Sequence, residues 1–337
     1  MNAATLLPVA WLLVIGFAVL MYVLLDGFVL GLGILLPFGH DEHERDRMMN
    51  TAAPIWDGNE TWLVLGGSGL LAAFPKVYGA MLSGLYLPVL LMLIALVFRG
   101  VAFEFRFKAN RTRPLWGAAF FLGSLVATFA QGVILGAIVQ GIPLAEGERT
   151  AGAFAWFSPF VVLTGLSLIA GYALLGATWL VLKTDGALQD LAYALTRPLV
   201  IAVIAAMLLV SAWLPFLDAI RMQRWFNWPS VLWLSPVPVL TALNAVLLWR
   251  AVARRHERAP FVLTVSFFGL GFLGLVLGMW PYLLPPRLTI WNSAATPSSQ
   301  TFVLIGALVL IPLVLAYTAY SYRVFRGKLA GDAGYHD

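Results

Sequence analysis

The chain has 337 residues, 61% of them hydrophobic and 11% charged, with a mean hydropathy of +0.87 and a formal net charge of +5. Soluble domains average about 45–50% apolar and about 25% charged, and a soluble core of this size cannot enclose such an excess. The solvent is therefore lipid, and the surplus positive charge belongs to membrane loops, which excludes a nucleic-acid partner.

From residue 7 to residue 36 the only charged side chain is Asp26, which predicts one long membrane helix. The first basic residue is Arg45, so this run is no cleavable signal, whose apolar stretch is shorter and follows basic residues. A charged stretch, His40–Arg47, comes next. The uncharged run 61–75 is short for a span, but Pro54 suits a helix start and extends it to 54–75. Further spans are predicted near 77–98, 114–141, 155–182, 198–217, 230–249, 260–284 and 299–322. The basic stretch Arg99–Arg113 between two of them reads as an amphipathic loop at the lipid headgroups or, on a sharper reading, a docking element for a partner subunit. The expectation is an all-α integral membrane protein, one polytopic domain over 1–337 with nine transmembrane helices. Cysteine is absent, which removes disulfides and thiolate ligands.

Nine spans have a consequence for charge. They put Arg45, Arg47, Arg99, Arg106, Lys108, Arg111, Arg113, Lys183, Arg197, Arg250, Arg254, Arg255, Arg258, Arg323, Arg326 and Lys328 on one side of the membrane. Lys76, Arg149, Arg221, Arg224 and Arg287 fall on the other. The positive-inside rule then places the N-terminus outside and the C-terminus in the cytoplasm. Removing the second span would carry the Arg99–Arg113 stretch outward and erase the bias.

Ionisable groups inside a bilayer are expensive, roughly 2.5–3.5 kcal/mol each by insertion scales, and so are candidates for function. Asp26 lies eleven residues before Pro37, about 16 Å from the end of its span and near the middle of the hydrocarbon layer. Asp57 and Glu60 stand at i and i+3 on one face of the second span, with Asn59 and Thr61 beside them and Trp56 and Trp62 flanking. Shielded carboxyl groups can carry a proton, so the three acids outline a proton route. The competing reading is that Asp57, close to a helix start, serves as a cap. On the proton reading Asp57→Asn slows turnover, and Glu60→Gln acts in the same direction more mildly. The histidines are His40, His43, His256 and His336, all outside the spans, so no span offers a haem-ligating imidazole. His40 and His43 read as a solvated loop, not a metal site. Neither a phosphate loop nor a nucleophile motif is present, and no catalytic residue is assigned to this chain.

The run Pro54-Ile55-Trp56-Asp57-Gly58-Asn59-Glu60-Thr61-Trp62-Leu63 resembles the signature of subunit II of the cytochrome bd quinol oxidases. Asp26-Gly27-Phe28, with Gly31 and Gly33, is similar to the D-G-F-x-x-G-x-G run of that family's first helix. Ala73–Tyr78 and Phe98–Arg106 match it in order and at similar spacing, and the acidic Asp41–Asp46 stretch with Glu60 is similar to the cyanide-insensitive branch. The resemblance implies two four-helix bundles plus one peripheral helix in a bacterial cytoplasmic (inner) membrane. It further implies a non-haem scaffold subunit of a complex that oxidises quinol, reduces oxygen to water and takes protons from the cytoplasm. Two b-type haems, haem d and the quinol site would sit in the partner, haem-bearing subunit I. No cofactor is expected to be ligated by this chain, although some family members hold a structural quinone here, and small accessory subunits are admitted. The resemblance carries a proton-path role to Asp57, with Glu60 and Asp26, supported by Trp56, Asn59 and Trp62. Many members carry an aspartate where this chain has Val29, so any deeper relay would run through Asp26 or water. The alternative from another class is a secondary transporter using buried acids, although such transporters show broken helices in both halves and here the acids fall only in the first two spans.

Overall fold

The computed structural model describes residues 3–142, 152–217, 227–228 and 230–329. The expectations placed on Arg149, Arg221, Arg224 and His336 lie outside the described residues. The elements are α1 (Ala3–Leu35), a 3-10 turn (Leu36–Phe38), α2 (Glu42–Asn50), α3 (Trp56–Ala73), α4 (Pro75–Lys108), α5 (Arg113–Gln140), α6 (Pro159–Lys183) and α7 (Gly186–Trp213). After a second 3-10 turn (Leu214–Leu217) come α8 (Ser230–Leu234), α9 (Pro236–Ala253), α10 (Ala259–Met279), a short strand pair β1 (Tyr282–Leu284) and β2 (Leu288–Thr289), and α11 (Pro297–Val324).

The starts are written in the sequence. Proline occupies the first turn of α4, α5, α6, α9, α10 and α11, where its missing N–H costs nothing. Ser158 caps α6 by accepting from the Val161 N–H at 3.2 Å, and Asp41 caps α2 by accepting from the Glu44 N–H at 2.8 Å. α4 kinks at Leu85, three residues before Pro88, because proline removes one backbone donor and crowds the preceding turn.

Among the described residues eight helical segments are long and apolar enough to cross a membrane. α3 is not one of them: its 18 residues, about 27 Å, include Asp57, Asn59, Glu60 and four glycines. It nevertheless runs from one end of the bundle to the other. Its first turn follows α2, and its last residue, Ala73, accepts the Ala295 N–H at the opposite end at 2.9 Å.

The second half of α6 is enclosed on every side, with eleven consecutive buried residues from Gly171 to Val181. α1 reaches it closely because both helices carry glycine at the crossing: a Cβ on Gly31 would stand 1.9 Å from the Tyr172 carbonyl oxygen, and one on Gly176 2.5 Å from the Gly31 carbonyl carbon. α3 packs on α1, α4 on α5, α5 on α6 and α6 on α7. α11 instead shows Phe302, Leu308 and Val309 as an exposed apolar face, as lipid permits.

The α2 end gathers several connections. Arg47 donates to Asp185 at 3.0 Å, Lys328 to Glu257 at 2.7 Å, and Lys183 to the Phe325 carbonyl at 2.6 Å. The other end brings Lys76 to the Asn292 carbonyl at 3.3 Å and Trp11 to the Gln300 carbonyl at 3.1 Å.

Three expectations need correction. The Arg99–Arg113 stretch is not a surface loop, because α4 continues through it to Lys108. Its periodicity explains why: Arg99, Ala102, Phe103 and Arg106 are buried on one face while Val101, Glu104 and Phe105 are exposed on the other. The helix expected at 198–217 starts earlier, at Gly186, so Arg197 is helical and Pro198 is interior. The helix expected to reach residue 284 stops at Met279, where Pro281, Pro285 and Pro286 supply no donors and the chain folds into the β1–β2 pair.

Candidate functional site

Asp26 sits on α1 about two and a half turns before its end and is fully buried. Arg99 of α4 is also fully buried and donates from Nη1 to Asp26 Oδ1 at 2.8 Å. Its Nη2 donates to Glu60 Oε1 of α3. Two carboxylates thus flank one guanidinium in the interior of the helix bundle. With both acids ionised the set carries one negative charge, and a proton on either acid makes it neutral. In a low-dielectric setting that is the arrangement a transferable proton requires.

The surrounding side chains fix this geometry. Trp56 lies under Arg99, with the guanidinium carbon 5.7 Å from the ring centroid, and stacks on Phe103 at 5.2 Å and 7°. Asn59 ties three helices together: its Nδ2 donates to the Leu25 carbonyl of α1 at 2.8 Å, and its Oδ1 accepts from Tyr322 of α11 at 3.2 Å. Trp62 is fully buried, packs edge-on to Phe17 at 5.7 Å, and its indole N–H has no partner among the described residues. A turn above Asp26, Tyr22 accepts from Gln131 Nε2 of α5 at 2.8 Å, and Gln131 Oε1 accepts from Tyr172 of α6 at 3.0 Å.

The structure therefore unites Asp26 and Glu60 through Arg99 but leaves Asp57 outside the set. Asp57 is exposed, in the first turn of α3 and on the bundle's outer face. Sequence reasoning missed Arg99, Tyr22 and Gln131. Arg99 was legible in principle: seven residues separate it from Arg106, so both fall on the apolar face of a continued helix, and a buried cation needs a buried acid.

A second cluster closes the α2 end. Arg106, 1% exposed, donates from Nη2 to Glu42 Oε2 at 2.6 Å and Asp46 Oδ1 at 3.2 Å, and from Nη1 to the Arg113 carbonyl at 3.1 Å. Arg113 pairs with Asp46, and Arg45 donates to Glu42 at 2.7 Å. Burial pushes the Glu42 carboxyl up, but the guanidiniums of Arg106 and Arg45 outweigh it and hold the carboxyl below its usual range. Glu44 is also held low, chiefly by the backbone N–H of His40. Among the described residues no group of three or more histidines and acids is placed to hold a metal ion.

A family profile described as "Cytochrome bd terminal oxidase subunit II" matches residues 7–325. The "Cytochrome bd ubiquinol oxidase subunit 2" of Bacillus subtilis is 30% identical, over 95% of this chain and 96% of that one. The "Cytochrome bd-I ubiquinol oxidase subunit 2" of Escherichia coli K12 is 29% identical, over 96% and 95%. A chain in the structure of the bd oxidase from Geobacillus thermodenitrificans superposes with a TM-score of 0.80 at 19% identity, covering 95% of this chain and 98% of that one, which shows a shared fold.

Proposed function

The chain belongs to the cytochrome bd terminal oxidase subunit II family, and from that premise we propose that it is the non-haem scaffold of its complex and carries part of the proton path. It is a subunit of a quinol oxidase, and the transporter reading falls away, since the family match extends through both halves of the chain. The observation that carries the proton role is the Asp26–Arg99–Glu60 set, with Asp26 and Arg99 fully buried. A scaffold needs no such charges, since apolar residues of similar volume hold helices together as well or better.

In this reading the membrane is crossed nine times, with α3 as the second span, in two four-helix bundles and one peripheral helix. The N-terminus lies outside and the α2 end faces the cytoplasm, with the arginines and lysines gathered there. Subunit I is the partner and would contribute the quinol site, the two b-type haems and haem d, which supply electron transfer and oxygen reduction. A structural quinone and small accessory subunits remain within what the family admits. Asp57, on the outer face of α3, would meet a proton near the cytoplasmic surface at the boundary with subunit I. Glu60, one turn deeper and partly exposed, would receive it, and Arg99 would hold Asp26 beside it as the innermost acid.

The test is to purify the complex through a tag on this chain. Co-purification of a haem-bearing subunit, with quinol-driven oxygen uptake slowed by Asp26→Asn at unchanged haem content, supports the reading. A colourless protein purified alone, or full activity in the variant, overturns it.

A further inference from the structure

The face of α5 that meets α1 carries Ser124, Thr128 and Gln131, at helical spacings of four and three. Gln131 is bonded on both sides by Tyr22 and Tyr172. Ser124 and Thr128 are fully buried, and neither hydroxyl has a hydrogen-bond partner among the described residues. Other buried hydroxyls in this chain behave differently. Thr178, Thr184, Thr196 and Thr264 each donate to the carbonyl four residues back at 2.7–2.9 Å, and Thr164 to the carbonyl three residues back at 2.8 Å. Helical threonine and serine ordinarily satisfy themselves in this way. Two that decline the same bond are turned toward something else.

Their position says what that is. A Cβ on Gly33 of α1 would stand 2.0 Å from Ser124 Oγ, so the serine reaches into the space the glycine leaves open. A Cβ on the adjacent Gly123 would stand 3.0 Å from the Arg99 backbone nitrogen and 3.3 Å from its Cβ. Ser124 thus lies at the seam of α1, α4 and α5. Tyr22 bonded to Gln131 and Gly33 facing Ser124 set α1 and α5 in antiparallel register, which puts Thr128 between those points, beside Asp26 and Val29. Two more buried polar atoms at the same seam, Asp26 Oδ2 and Arg99 Nε, have no hydrogen-bond partner among the described residues. Two hydroxyls, a carboxylate oxygen and a guanidinium N–H offer the mixture of donors and acceptors that ordered water joins, and buried water typically makes two to four such bonds.

We infer that Ser124 and Thr128 hold ordered water against Asp26 Oδ2 and Arg99 Nε, and that this water gives a proton access to Asp26 on the side away from Glu60. The inference rests on the proton-path reading above. Val29, fully buried at this seam, offers no polar atom, so the hydroxyls of α5 do the holding. They are positioning residues: the proton resides on the carboxylate, and they orient the water that delivers or removes it.

The test uses the purified complex, with Asp26→Asn as a reference. Thr128→Val keeps the shape and removes the hydroxyl, Thr128→Ser restores a hydroxyl, and Ser124→Ala removes the other. Expected are an oxygen-uptake rate lowered about fivefold in Thr128→Val, the effect of one lost hydrogen bond, and recovery in Thr128→Ser. Haem content should be unchanged. Infrared difference spectra should show the Asp26 carboxyl band, identified by its loss in Asp26→Asn, shifted in Thr128→Val and Ser124→Ala. If Asp26→Asn slows the enzyme but neither hydroxyl variant moves rate or band, the water site is wrong and the proton path stands. If Asp26→Asn leaves the rate unchanged, the proton path itself is wrong. Should Thr128→Val fail to assemble, the Ser124→Ala band decides alone: unshifted, it overturns the inference.

Discussion

Arg99 and Arg106 stand two turns apart on the same face of α4, both buried, each bonded to two acids, yet they do opposite things. Arg99 lies in the bundle interior and draws its acids from α1 and α3, long helices packed against each other in the body of the bundle. Arg106 lies at the end of the bundle and draws its acids from α2, a short amphipathic segment whose Glu42 is 42% exposed. At the second site Glu42 can turn to water and Asp46 keeps a second arginine, Arg113, so the cluster is a fastener for α2. At the first site water reaches only Glu60, 32% exposed, and not the fully buried Arg99–Asp26 pair, so a change of protonation there must be answered by the neighbouring charges. The depth of the pair, not its chemistry, separates a structural contact from a site able to register a proton.

The sharpest way to break this comparison is to remove each cation. Arg99→Met leaves Asp26 and Glu60 as uncompensated acids, a loss of about 3–5 kcal/mol for a buried partner. The expected outcome is little or no assembled complex in membranes, measured as the yield of haem-bearing partner captured through this chain. Arg106→Met should cost about 1 kcal/mol, because Glu42 returns to water and Asp46 keeps Arg113, and the complex should assemble. Equal yields would show that burial depth is not what separates the two sites.

The acids come next in size. Glu60→Gln leaves Arg99 paired with Asp26 alone, a set already neutral, so it loses its capacity to take up a proton without acquiring net positive charge. Oxygen uptake should fall about tenfold or more, at the low end of what proton-transfer groups contribute. Asp57→Asn removes an exposed group outside the set and should slow uptake by less. This reverses the order that spacing along the sequence suggests, in which Glu60 was the milder position. Rates for the two variants at matched haem content decide it; a larger effect at Asp57 would mean that proton delivery depends on the partner boundary and not on Arg99.

That reversal marks where the sequence is legible. Long uncharged runs bounded by charges reveal the membrane helices, because lipid permits few other patterns. The signature around Trp56–Trp62 and the Asp26 run reveal the family for the same reason that they carry the site: those residues meet in space. What periodicity alone conceals is pairing. Arg99 ends an uncharged run and so looks like the start of a loop; only the closeness of α1, α3 and α4 makes it the partner of two acids. Ser124, Thr128 and Gln131 are hidden differently, since small polar residues on a glycine-rich helix look like packing until the neighbouring helix carries a carboxylate. α3 is the converse case: its hydropathy is poor for a span because it carries Asn59 and Glu60 toward the site and Asp57, Thr61 and Ser68 on its exposed face.

The smallest expected effects concern the fastener. Glu42 and Glu44 are both held below the usual carboxylate range, Glu42 by Arg106 and Arg45 against the opposing effect of burial, Glu44 by the His40 backbone. A carboxyl lowered on folding contributes stability that is complete above its ordinary value, 4.5 here, and is lost as pH falls through the lowered folded value. α2 should therefore stay docked at neutral pH and loosen only in acid, visible as faster hydrogen exchange, corrected for intrinsic rate, of amides 42–50. Raising salt toward 1 M shortens the Debye length from about 10 Å to about 3 Å. It should loosen the same amides slightly, with no change in those around Arg99, where no ions enter. A uniform salt response across α4 would mean that the interior set is reached by solvent, and the distinction between the two arginines would collapse.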